Sequence, residues 1–279
     1  MEIAYTKNSL TEKLNPLREK SLRIGFVPTM GALHAGHLQL LKQAQMENDI
    51  VVCSIFVNPI QFNNPTDLLR YPRTPKEDID YINAYCDILF MPPVQEMYTS
   101  PCTEKYKFGK LETVMEGRFR PGHFNGVAIV VKRLFDLVQP NTAYFGKKDF
   151  QQLTIIQKLV EDYKLNIKIQ AVDTVRENDG LAMSSRNKLL SPNARKIAPF
   201  IWQTLLKAKS LKEEKSPSEI SKWIQEEFNK NKAFTLEYAQ LVNSKTLEEV
   251  NEYSQAENIV VCVAVRLDNV RLIDNITIV

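Results

Sequence analysis

Through its first two-thirds the chain alternates short apolar runs with stretches of helical period, and this alternation limits the fold more than any other feature. The runs at 22–27, 50–57, 87–91, 142–145 and 167–172 read as strands, and the stretches at 37–47, 76–85, 124–138 and 150–163 read as helices. In the clearest helix, Val127, Val130, Val131, Leu134, Phe135 and Val138 recur at 3.6-residue spacing and form one apolar stripe. Strand–helix alternation of this kind predicts an α/β fold, a parallel sheet with helices on both faces. Ligands in such sheets bind beyond the carboxyl ends of the strands.

The pattern changes after about Val172. Residues 191–214 and 216–230 read as two helices, the first opening on Ser191-Pro192, a cap followed by a first-turn proline. Three strand-like segments follow at 234–242, 258–267 and 270–279, the last two joined by Asp268-Asn269, a tight hairpin signal. This predicts a smaller α+β domain, with the chain dividing into residues 1–174 and 175–279.

A net charge of +3 is too weak a bias to imply nucleic acid, though it suits small anionic substrates. The four cysteines, Cys53, Cys86, Cys102 and Cys262, lack C-x-x-C spacing and read as free thiols rather than a zinc site or disulfide framework. No segment approaches the roughly 18 apolar residues of a spanning helix. A cytoplasmic location without membrane or nucleic-acid partners is the expectation.

All three histidines fall in two short glycine-bearing segments, Pro28-Thr29-Met30-Gly31-Ala32-Leu33-His34-Ala35-Gly36-His37 and Arg120-Pro121-Gly122-His123-Phe124. The first lies where a strand turns into a helix, and a helix N-terminus offers unpaired N–H groups and partial positive charge to an anion. His-x-Gly-His behind an apolar strand therefore reads as a phosphate site, against the plainer alternative of a polar cap. Met183-Ser184-Ser185-Arg186 is a second anion candidate, since two hydroxyls and a guanidinium can hold several phosphate oxygens. In isolation an ordinary capping loop is the better reading of that segment. In Gly146-Lys147-Lys148-Asp149 the lysine at 148 can reach a phosphate, while Asp149 can cap the next helix or hold a ribose hydroxyl. Gln61 and Gln152 follow strands on the same rim, where amides can bind carboxylate or hydroxyl groups. Glu77, Asp78 and Asp80 read as a first-turn acidic cluster, with a role near Mg²⁺ as the sharper alternative.

Taken together these segments, with Phe56-Val57-Asn58-Pro59-Ile60-Gln61-Phe62, Tyr71-Pro72-Arg73-Thr74 and Arg271-Leu272-Ile273-Asp274-Asn275, resemble the pantothenate synthetase family. They span nearly the whole chain in that family's order. The His-x-Gly-His element alone is similar only to the wider nucleotidyltransferase superfamily. The resemblance implies a Rossmann-like N-terminal domain, a C-terminal lid domain, a homodimer, and use of ATP and Mg²⁺ to join pantoate to β-alanine through a pantoyl-adenylate, with release of AMP and pyrophosphate. It implies that Met30, Gly31, Ala32, Leu33, His34, Ala35, Gly36 and His37 surround ATP, together with Gly146, Lys147, Lys148, Asp149, Val175, Met183, Ser184, Ser185 and Arg186. Gln61 and Gln152 would hold pantoate, with Gln61 also near β-alanine. His37, His34, Lys148 and Arg186 would carry the chemistry, His37 as proton donor. Glu116, Arg120 and His123 match a segment close to the site. Lys147 departs from the family's usual Glu, and Ala35 and Gln39 are also unusual. The competing expectations are a nucleotidyltransferase that retains the nucleotide in its product, and a nucleotide-binding module without turnover.

Overall fold

Strands β1 (Glu2–Ala4), β2 (Ile24–Thr29), β3 (Ile50–Ile55), β4 (Ile88–Phe90), β5 (Thr142–Gly146) and β6 (Lys168–Val172) pair in parallel, in the order β1-β4-β3-β2-β5-β6. The structure is a computed structural model describing residues 1–279. It divides into two units: residues 1–147 with 155–173, and residues 148–154 with 174–279.

Helices α1 (Lys7–Glu19), α2 (Ala35–Glu47), α3 (Pro65–Arg70), α4 (Pro75–Ile82), α5 (Val94–Met97), α6 (Met115–Phe119), α7 (His123–Val138) and α8 (Phe150–Asp162) lie between the strands in sequence. Successive strand residues face opposite sides of a sheet. Val27 accordingly joins Leu40, Leu41 and Ala44 of α2 in one core cluster. Its neighbour Phe26 meets Phe135 of α7 edge-on, with ring centroids 6.4 Å apart. Helices cover both faces, as the alternation predicts.

The five expected strands and four expected helices of this region are present, with no end shifted by more than three residues. Two further elements precede them. The strand β1 has only three residues, and α1 carries an internal Pro16 that obscures its helical pattern. Leu10 and Leu14, one turn apart, are both fully buried and anchor it.

The position of β2 creates the site. It lies between β3 and β5, so the chain leaves β2 on one side and returns on the other, placing the reversal of strand order between β2 and β5. These two strands run parallel and end at the same sheet edge. The histidine segment leaves β2 there, and Gly146-Lys147 closes β5 there. A ligand crevice belongs at such a switch point.

In the second unit β7 (Phe234–Asn243), β8 (Ile259–Leu267) and β9 (Val270–Thr277) form an antiparallel sheet in that order. The Asp268-Asn269 hairpin is confirmed, with both residues left-handed at φ of 53° and 63°, as a twist-matched two-residue turn requires. Helices α9 (Pro192–Ile197), α10 (Phe200–Ser210) and α11 (Pro217–Lys230) precede the sheet. Ile201, Leu205, Ile224 and Phe228 share one buried cluster with Leu241, Val261 and Val263. The expected single helix over 191–214 is divided into α9, α10 and a short 3₁₀ turn at Leu211–Glu213. Pro199 stands at the first break, where it has no N–H to continue the helical ladder. No helix is long and apolar enough to cross a membrane.

Candidate active site

The histidine segment builds its own cap. His34 is the N-cap of α2, with extended backbone, and its Nδ1 accepts from the Gly36 N–H at 3.1 Å. His37 reaches back so that its Nδ1 accepts from the His34 N–H at 3.3 Å. This is a capping box in which imidazoles replace the usual hydroxyl and carboxylate. Both rings use Nδ1 as an acceptor, so in the neutral form each carries its proton on Nε2. The rings pack 4.1 Å apart at 43°. Gly36 is required sterically: a Cβ there would sit 2.8 Å from His34 Cε1. The glycine lets the His34 ring fold back over the first turn.

Just upstream, Gly31 and Ala32 are left-handed, at φ of 80° and 50°. The Ala32 N–H donates to Asp78 Oδ2 at 2.9 Å and the Leu33 N–H to Asp78 Oδ1 at 2.7 Å. These two backbone donors, in a segment that the resemblance places around ATP, are directed to the protein's own carboxylate. Asp78 itself, the candidate acid near Mg²⁺, has both oxygens engaged by the loop. No group of three or more His, Cys, Asp or Glu side chains is arranged to hold a metal ion. The residues present do not fit a protein-held metal centre.

Gln61 is buried at the end of the 3₁₀ turn Pro59–Gln61 that follows β3. Its Oε1 accepts from Asn58 Nδ2 at 3.0 Å, and its Nε2 approaches Met30 Sδ at 3.3 Å. Asn58 is itself 1% exposed and is fully employed: Nδ2 also donates to the Gly126 carbonyl at 3.1 Å, while Oδ1 accepts from Tyr98 Oη at 2.7 Å. In the sequence Asn58 stands within the Phe56–Phe62 motif with no role of its own. Its Asn-Pro cap signal is visible locally, but its orienting contact with Gln61 is not. Gly126 permits the close packing of α7 here, since a Cβ would lie 2.8 Å from both Gln61 Cα and the Ile60 carbonyl.

The third histidine serves the same glutamine. His123 is buried, and its Nδ1 lies 2.8 Å from the Gln61 carbonyl oxygen. Its Nε2 lies 3.2 Å from Arg120 Nη1. A carbonyl only accepts and a guanidinium only donates, so His123 is the neutral Nδ1–H tautomer. Arg120 is 3.9 Å from the buried Glu116 carboxylate. Glu116, Arg120 and His123 therefore form a chain ending on the backbone of Gln61.

Lys147 forms a 2.6 Å pair with Asp173, both ends largely exposed. Such a pair contributes little stability, but it gives the charge that replaces the usual acid a local partner.

Lys148, Asp149, Gln152, Val175 and Met183 to Arg186 belong to the second unit, whereas Met30 to His37, Gln61, Gly146 and Lys147 belong to the first. In the second unit Lys148 Nζ is 3.6 Å from Asp149 Oδ1, and Gln152 lies in the first turn of α8. Met183 N–H bonds the Val175 carbonyl at 3.0 Å, which closes a short ribbon around Gly180. Ser184 then caps the 3₁₀ turn Ser185–Leu189, its Oγ accepting from the Arg186 N–H at 3.2 Å. The capping alternative is therefore real for Ser184. It also sets Ser185 and Arg186 at the start of that turn.

The chain matches the family model described as pantoate-beta-alanine ligase over residues 2–277. It is 49% identical to a pantothenate synthetase of Azobacteroides pseudotrichonymphae over 286 aligned positions, covering 99% of this chain and 100% of the relative. Among solved structures it is similar to the pantothenate synthetase of Thermus thermophilus, with TM-score 0.93, 41% identity and 99% of each chain covered. A pantoate-beta-alanine ligase from Francisella tularensis, solved in complex with beta-gamma ATP and beta-alanine, superposes with TM-score 0.83 at 36% identity, covering 99% of this chain and 97% of that one.

Proposed function

The chain belongs to the pantoate–β-alanine ligase family, an enzyme family condensing pantoate with β-alanine to pantothenate, and on that premise we propose that it activates pantoate with ATP as an acyl-adenylate. A pantoate carboxylate oxygen attacks the α-phosphorus of ATP. The bond from that phosphorus to the bridging oxygen breaks, and pyrophosphate leaves. The β-alanine nitrogen then attacks the acyl carbon, the carbon–oxygen bond to phosphate breaks, AMP leaves, and the amine gives up a proton.

The first step brings two anions together, and it needs charge and donors at the phosphate. The observation that carries this reading is the imidazole capping box. With both Nδ1 atoms bonded to backbone N–H, His34 and His37 present Nε2–H groups at the N-terminus of α2, where the helix dipole also favours an anion. His37 is assigned as proton donor to the phosphate oxygens. Lys148 and Arg186 supply positive charge, with the remaining segments at 30–36, 146–149, 175 and 183–185 around the nucleotide. Mg²⁺ would enter as the counter-ion of the triphosphate, as part of the substrate. Gln61 and Gln152 hold pantoate, and Gln61 also meets β-alanine. The complex of the Francisella relative, which contains a nucleotide and β-alanine, supports ATP and β-alanine as substrates. A homodimer in the cytoplasm is the assembly proposed.

The deciding experiment is pantoate-dependent exchange of labelled pyrophosphate into ATP with Mg²⁺ present and β-alanine absent. Exchange is expected, because adenylate formation is then reversible and complete in itself. Pantothenate formation without any such exchange would exclude a free adenylate step.

A further inference from the structure

Asp78 is 3% exposed, and its carboxylate accepts from two backbone N–H groups and one hydroxyl. Ala32 and Leu33 give it two consecutive backbone N–H bonds of 2.9 and 2.7 Å, and Thr74 Oγ1 donates to it at 3.2 Å. Ala32, the residue between these two N–H groups, and Gly31 before it are both left-handed. Consecutive N–H groups turned to one side make a concave anion nest, the kind of site that ordinarily receives a phosphate or another anion. Here a carboxylate from α4, more than forty residues away in the chain, already fills it. The packing is close: a Cβ at Gly31 would lie 3.0 Å from Asp78 Oδ2.

We infer that Asp78 is a positioning residue, which occupies the Ala32–Leu33 nest, holds His34 at the N-cap of α2, and denies that nest to substrate phosphate. The inference rests on the reading of His34 and His37 as phosphate donors. Two anion sites lie in one loop, and only the second is to receive the nucleotide. An unfilled nest two residues before His34 would draw the triphosphate away from the imidazoles and release a strained loop from its anchor. A carboxylate fills the nest permanently and leaves the helix N-terminus as the remaining attractor.

The test uses the full chain carrying Asp78→Ala or Asp78→Asn, assayed well below the melting temperature of each. Asp78→Ala is expected to lower the pyrophosphate-exchange rate constant by about a hundredfold, as a displacement near 1 Å can, with the pantoate KM nearly unchanged. Formate is expected to restore the rate saturably by refilling the nest, and inorganic phosphate is expected to inhibit this variant far more strongly than the wild type. Asp78→Asn retains one acceptor and should lie between the two; if the alanine variant does not fold, the asparagine variant decides alone. A folded variant with wild-type kcat and only a lowered melting temperature overturns the inference. Amide chemical shifts of Ala32 and Leu33, read without nucleotide, must move in either variant and return toward wild type with formate in Asp78→Ala. Their failure to move also overturns it, whatever the fate of the adenylation reading.

Discussion

The carboxamide of Asn275 donates to the main-chain carbonyl of Lys148 at 2.9 Å, joining residues 127 positions apart. The neighbouring Asp274 is buried and pairs with Arg176 through bonds of 2.6 and 3.0 Å. Burial pushes the Asp274 carboxyl up, and the Arg176 guanidinium opposes that shift. Arg176 in turn lies 3.4 Å over the Trp202 ring. The last strand of the chain thus ties down the backbone of the proposed phosphate lysine. Asn275→Ala removes one such bond, worth roughly 1 kcal/mol, and should lower kcat up to about tenfold with little change in melting temperature. Steady-state kinetics beside thermal unfolding checks this, and an unchanged kcat would remove Asn275 from Lys148's support.

Within α2, Gly36→Ala sets helix propensity against site geometry. Alanine is the better helix former by roughly 1 kcal/mol, yet its Cβ would stand 2.8 Å from the His34 ring. The expected outcome is a melting temperature near or above wild type with kcat lowered by about tenfold or more, through displacement of a donor. Wild-type kinetics in this variant would show that the folded-back His34 ring is not needed.

His37→Ala and Lys148→Ala should each lose about 10²- to 10³-fold in pyrophosphate exchange while remaining folded, the range found for removing one transition-state donor. Single-turnover adenylation resolves the effect from product release. Near-wild-type adenylation in either variant would take that residue out of the first step.

Because His123 bonds the Gln61 carbonyl, His123→Ala should act on pantoate rather than on ATP. A pantoate KM raised by about tenfold is expected, in line with one lost buried hydrogen bond, and the ATP KM should hold. Gln152→Ala should show the same bias. Equal effects on both substrates would assign these residues to general stability.

Tyr144 ties the far end of α2 to β5. Its hydroxyl donates to Glu47 at 2.8 Å and accepts from Asn48 at 2.7 Å. Burial, then the Glu47 carboxylate, pushes its pKa up to about 12, against about 10 for an unfolded tyrosine. A raised folded pKa contributes stability that is complete below the unfolded value and is lost as pH rises through the folded one. Wild-type melting temperature should therefore fall between about pH 10 and about pH 12 more steeply than that of Tyr144→Phe. Parallel curves would show that Tyr144 does not set the alkaline limit.

Much of the site is legible in sequence because its chemistry is local. The turn from strand to helix, the two histidines three residues apart, and the glycine between them all fall within one helical turn, and the structure realises them as a cap. Asn58, Asp78 and Asn275 are different. A buried asparagine after a strand, an acid in a first turn and an asparagine near the end of a chain each have an adequate local explanation. Their distant partners, the Gly126 carbonyl and Tyr98 hydroxyl for Asn58, the Ala32–Leu33 nest for Asp78 and the Lys148 carbonyl for Asn275, are set by packing between elements far apart in the chain. The helix expected over 191–214 shows the reverse limit: its period is right on both sides of Pro199, but the missing N–H divides it.

The sequence by itself determined the parallel sheet, the hairpin at Asp268-Asn269 and the turn from strand to helix at the histidine segment, since periodicity and turn residues act over a few neighbouring residues. Tertiary structure alone decided that a carboxylate from α4 fills the anion nest before His34, and that residues 148–154 pack with the second unit rather than with the strand they follow. Backbone donors bond whichever acceptor the fold brings within reach, and that choice is made by the packing of whole elements.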